Sequence, residues 1–70
     1  MKLVPGYMFK VSRQKLEFKV GETYRIYHIS PIEEGVEYIF QSNGGNIKQQ
    51  FESTEQAEAI IGKMTGMKNG

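Results

Sequence analysis

The chain holds few side chains able to do covalent chemistry. His28 is its only histidine, set in the strand-like run TYRIYHIS. An imidazole placed so is more often a structural residue than a catalyst or a ligand. Aspartate is absent, which rules out a Ser-His-Asp arrangement, and no segment reads as a nucleophile elbow with a glutamate in its place. Glu33 and Glu34, with Glu37, pair carboxylates, but they sit in a turn beside Pro31 and Gly35, where a solvated loop is the ordinary explanation. Glycosidase chemistry would need them in a walled cleft, which so short a chain can hardly build. Asn43-Gly44-Gly45 is no phosphate loop, because no Lys-Ser/Thr follows and the next segment reads as a strand. With no cysteine, thiolate metal sites and disulfides are both excluded. The expectation is a protein without enzymatic activity, bound metal or cofactor.

Side chains suited to non-covalent recognition are better represented. In TYRIYHIS, strict alternation sets Tyr24, Ile26 and His28 on one face and Arg25, Tyr27 and Ile29 on the other. In VEYIFQ it sets Val36, Tyr38 and Phe40 against Glu37, Ile39 and Gln41, and in NIKQQFE it sets Ile47 and Phe51 against Lys48 and Gln50. One face is therefore the core. The other is too polar for a second core and too apolar for ordinary solvent. Arg25, Tyr27, Ile39, Gln41, Lys48 and Gln50 are its candidate binding residues, with Tyr27 and Ile39 as anchors in a polar ring. Two fates are open to this face. The N-terminal strands could fold across it, or it could stay open and bind a partner; coverage is the expectation, since marginal cores use the apolar residues they have.

The elements that must position these residues follow from turn and cap signals. YMFKV (Tyr7–Val11) and LEFKV (Leu16–Val20) alternate as strands, the second with Leu16, Phe18 and Val20 on one face. TYRIYHIS (Thr23–Ser30) is the strongest strand, and Pro31 should end it. VEYIFQ (Val36–Gln41) follows the acidic turn, and Asn43-Gly44-Gly45-Asn46 supplies residues that tolerate positive φ in a tight hairpin. Ser53 with Gln56 makes a capping box, and Ala57, Ile60, Ile61 and Met64 form a single apolar stripe. Gly66 is a natural left-handed cap, after which 66–70 should fray. The prediction is one α+β domain over 1–70: a four- to five-stranded antiparallel sheet with a C-terminal helix on one face. A small SH3-like or OB-like barrel with an appended helix is the alternative.

Composition narrows the function classes further. A chain of 70 residues buries only about 60% of the surface its unfolded form exposes. Without disulfides or metal, self-association is the remaining way to reinforce such a core, so a structural homodimer is one expectation. No stretch approaches the ~18 apolar residues of a membrane span, which with the absent cysteines suggests a cytoplasmic protein with no membrane partner. The net charge of +1 conceals an asymmetry, basic over residues 1–28 and acidic over 29–62. Dedicated nucleic-acid domains usually have a pI above 9, whereas this chain sits near 8.0.

The ending FESTEQAEAII resembles the close of the three-stranded DNA-binding domains at the start of phage integrases. The likeness is confined to that ending, lacks those domains' dense basic residues, and carries no assignment. The favoured function is a small binding protein acting on a protein partner: a regulator, inhibitor or accessory factor of the kind phages and mobile elements encode. If LEFKV or VEYIFQ were an edge strand, it could pair with another chain, although Glu17 and Lys19 are the charges expected on a protected edge. The alternative is a nucleic-acid-binding module, with single strands among its expected ligands, in which Tyr7, Phe9, Tyr24, Tyr27 and Tyr38 stack bases among surrounding lysines and arginines.

Overall fold

A computed structural model describes residues 3–66. Four antiparallel strands follow one another in a meander of order β1-β2-β3-β4: β1 Met8–Lys10, β2 Thr23–Ile32, β3 Gly35–Ser42 and β4 Gly45–Phe51, followed by helix α1, Thr54–Thr65. The α+β fold is as the sequence indicates, in its open-sheet form rather than as a barrel. The frayed tail expected beyond Gly66 lies outside the described residues.

The N-terminal segment departs most from expectation. It does not fold across the mixed face. Phe9, Val11 and Phe18 are buried on the same side of the sheet as α1, in one cluster with Tyr24, Ile26, Tyr38, Phe40, Phe51, Ala57, Ile61 and Met64. LEFKV is not a strand. Phe18 N–H donates to the Lys15 carbonyl at 3.1 Å, closing a tight turn around Leu16 and Glu17. Leu16 and Val20 are then 50% and 56% exposed, while Phe18 is 0% exposed. The cause is geometric: β1 and β2 pair antiparallel from Lys10↔Thr23, so residues 11–22 must reverse the chain. Val11 N–H donates to the Glu22 carbonyl and Gly21 N–H to the Val11 carbonyl, pinching the loop's ends together. Phe18 drops from this loop into the core, edge-on to Tyr24 at 5.0 Å and to Phe40 at 4.9 Å between ring centroids. VEYIFQ becomes the interior strand β3, so the condition for pairing through LEFKV or VEYIFQ as an edge is met by neither.

Pro31 does not end β2, which continues to Ile32. Ile32 and Gly35 close the turn through Glu33-Glu34, so Ile32 bonds toward β3 and Pro31 turns its nitrogen away, beyond the reach of β1. No ladder hydrogen bond is lost. In the second hairpin Asn43 and Gly44 form the turn, and positive φ is taken up at Gly45 (φ 125) alone among the four residues of that signal.

Helix α1 is capped at both ends. Ser53 Oγ accepts from Gln56 N–H at 3.1 Å, and Gln56 Oε1 accepts in return from Glu52 N–H at 2.8 Å, one residue before the expected capping-box partner. At the far end the Met64 carbonyl accepts from Ser12 N–H (2.7 Å), Arg13 N–H (3.0 Å) and Ser12 Oγ (3.0 Å). The N-terminal loop thus satisfies a carbonyl that the helix itself leaves open. Gly66 then takes the left-handed conformation expected of it, φ 68.

Candidate binding face

With α1 and the 11–22 loop both on one side, the opposite face of the sheet is left uncovered by any described residue. All six candidate residues lie on it. Arg25 stands across from Gln41 in the β2–β3 register, Ile39 across from Lys48, and Glu37 across from Gln50. Arg25, Tyr27, Lys48 and Gln50 are exposed; Ile39 and Gln41 are half-buried among neighbouring strands.

Two hydrogen-bonded pairs order this surface. Arg25 Nη2 donates to Gln41 Oε1 at 2.8 Å, and Gln50 Nε2 donates to Glu37 Oε2 at 3.2 Å. Each pair bridges adjacent strands, as expected of opposed side chains on one sheet face. Between them lie Ile39 and Tyr27, the latter 56% exposed.

Tyr27 owes its position to a β-bulge. Ile26 opposes Phe40 and His28 opposes Ile39, so Tyr27 has no partner on β3 and the alternation of β2 inverts beyond it. His28, expected in the core, stands outward and exposed beside Ile39. Ile29, expected outward, faces inward across from Tyr38 and packs against the core. The inversion trades a histidine for an isoleucine in the apolar layer, which is its physical reason. The sequence holds one trace of it: Ile26 and Ile29 stand three apart, and both can reach the same face only if a residue is inserted between them.

His28 therefore joins the face, as do Met8 and Lys10, which the register sets opposite Arg25 and Thr23. Met8 is 60% exposed. Its place was legible in the alternation of YMFKV, where Met8 and Lys10 oppose Phe9 and Val11. The aromatics behave otherwise. Phe9, Tyr24 and Tyr38 are buried and Tyr7 is half-buried, so of the five aromatics expected to stack bases only Tyr27 points outward.

Among the described residues no group of three His, Cys, Asp or Glu side chains is placed to hold a metal ion, and no helix is long and apolar enough to cross a membrane. The Tyr38 hydroxyl is held above its ordinary value, first by burial and then by the Glu58 carboxylate, while a hydrogen bond with Thr54 works in the opposite direction. That group lies beneath the sheet and belongs to the core. No protein-family model, curated protein or solved structure matches the chain.

Proposed function

We propose that this chain is a non-enzymatic binding protein that presents its uncovered sheet face to a protein partner. One observation carries the reading: the six candidate residues share a broad surface that, among the described residues, both the helix and the N-terminal loop leave free. Tyr27 and Ile39 form an apolar centre flanked by the Arg25–Gln41 and Glu37–Gln50 pairs, with Lys48 beside it and Met8 on the outer side of Arg25. Tyrosine, methionine and arginine are the residue types enriched where proteins meet, and a polar rim around an apolar centre is the usual anatomy of such a patch. The two hydrogen-bonded pairs reduce the side-chain ordering left to do on binding.

Affinity capture with the whole chain tests this. A partner retained by the wild type and by Val20→Ala, but lost with Tyr27→Ala and Arg25→Ala, supports the face; retention by all four would refute it.

One observation favours a second reading, duplex nucleic acid. Lys10, Arg25 and Lys48 stand on this face with Glu37, and with Glu22 at its margin beside Met8 and Arg25, whereas Glu52, Glu55 and Glu58 fall on the helix and its approach. Arginine and glutamine side chains on a sheet can read base edges in the major groove. Fluorescence anisotropy with single- and double-stranded oligonucleotides at low and moderate salt decides between the two readings. Duplex binding that weakens steeply with salt and is lost in Arg25→Ala would put nucleic acid first.

A further inference from the structure

The two edges of the sheet are finished differently. At one, β1 spans only Met8–Lys10, and past it β2 turns the nitrogen of Pro31 outward, where it cannot donate to an added strand. At the other, β4 runs for 7 residues with no proline, no bulge, and Lys48 as its only charge. Its hairpin closes on the Ser42–Gly45 pair, so Gly45, Ile47, Gln49 and Phe51 bond toward β3. Asn46, Lys48 and Gln50 turn their backbone groups outward, and all three residues are exposed. Among the described residues no backbone hydrogen bond from another segment reaches them. Helix α1 leads away from this edge, crossing the core face until its Met64 carbonyl meets Ser12. An edge this regular is a template for another strand.

We propose that the strand taken up is β4 of a second copy, paired antiparallel about a twofold axis into one continuous sheet. Side-chain chemistry selects the register. Centring the axis on Lys48 would set Lys48 directly opposite Lys48 of the second copy, a like-charge pair that antiparallel sheets disfavour. The smallest shift that keeps each face on its own side is two residues. Shifted toward Phe51, the axis falls on Gln49, Lys48 meets Gln50 of the second copy, and Ile47 meets its Phe51. Shifted the other way, Gln50 would run past the strand into the Asn43-Gly44 turn. The first shift joins apolar to apolar on the core side and cation to neutral amide on the open side. The Lys48–Gln50 pairs then exchange their outward backbone hydrogen bonds on both sides of the axis. The open faces of the two copies become one surface, with Lys48 and Gln50 along its seam. This inference does not rest on the protein-partner reading, because the open face exists in each copy alone.

Sedimentation equilibrium of the whole chain over a wide dilution series is the test. The expected result is a weak, reversible dimer, since pairing along one strand buries less than the ~1,200 Å² of a standard interface. Gln50→Lys sets two cations against each other on both sides of the axis and should weaken the dimer about tenfold. The same substitution gives Glu37 a cation within its own chain, so loss of the dimer would not reflect loss of the fold. Because the chain has no cysteine, single cysteines report the register. Gln49→Cys, on the axis in a non-hydrogen-bonded pair with Cα atoms about 4.5 Å apart, should cross-link under mild oxidation, and Lys48→Cys should not. A monomer at every concentration up to about 1 mM would overturn the proposal. So would cross-linking by Lys48→Cys in place of Gln49→Cys.

Discussion

Leu16, Phe18 and Val20 are equivalent by pattern and unequal by structure, which makes them a sharp test. If the segment were a strand with a common buried face, truncating any of the three would cost a similar amount. In the observed loop only Phe18 enters the core, against the rings of Phe9, Tyr24 and Phe40 at 6.1, 5.0 and 4.9 Å. Phe18→Leu keeps a large apolar side chain but forfeits three aromatic contacts, each worth roughly 0.5–1.5 kcal/mol beyond area burial. Allowing for repacking, the loss should be about 2 kcal/mol, a large part of the roughly 4–10 kcal/mol expected for a chain this size. Val20→Ala should stay within about 0.5 kcal/mol. Leu16 sits at φ 54, a left-handed conformation that branched and bulky side chains resist. Leu16→Asn should therefore stabilise by about 1 kcal/mol. Urea unfolding followed by far-ultraviolet circular dichroism reads all three. With a slope near 1 kcal/mol/M, Phe18→Leu should lower the midpoint by about 2 M while Val20→Ala hardly moves it. Equal losses for Phe18→Leu and Val20→Ala would refute the loop and restore the strand.

Two further predictions concern the core side. Gly35 holds φ 151, and a β-carbon there would run into the carbonyl oxygen of Phe51 on β4. Gly35→Ala should lower the melting temperature by more than about 10 °C, as a loss of 2 kcal/mol or more would in so small a domain. Tyr38 is a stability switch at high pH: its hydroxyl is raised above 10.0 mainly by burial, so the folded chain holds this proton more tightly than the unfolded one. The contribution is complete below pH 10 and is lost as pH rises through the folded value. Urea midpoints should fall as the pH rises above 10.0, and less steeply in Tyr38→Phe. An equal fall in that variant would assign the alkaline sensitivity to another group.

What could be read from the chain divides by range. Hairpins and helix ends were legible because their signals are local: Glu33-Glu34-Gly35, Asn43-Gly44 and Ser53 with Gln56 each decide their conformation within a few residues. All six candidate residues share one sheet face as alternation indicated, since alternation holds along β3 and β4 and along β2 as far as Tyr27. It failed at His28 and Ile29, because a bulge is decided by which side chains the core across the sheet will accept. Pro31 misled for a related reason: whether it ends a strand depends on which neighbour its nitrogen faces. LEFKV alternates as well as any strand here, yet the need to reverse the chain between β1 and β2 overrides it. The two accounts of the mixed face turned on that segment, and so no local signal could decide between them.

The three donors gathered on the Met64 carbonyl bear on how the molecule opens. Ser12 and Met64 are 52 residues apart, whereas the hairpins of β2, β3 and β4 close between neighbouring strands. Loop closure over that span should follow the hairpins in folding, with the N-terminal loop sealing a molecule already largely formed. The amide protons of Ser12 and Arg13, though they belong to a loop, are then shielded only while the last turn of the helix is in place. Their hydrogen-exchange rates would track the undocking of α1, and so report on the two ends of the chain at once.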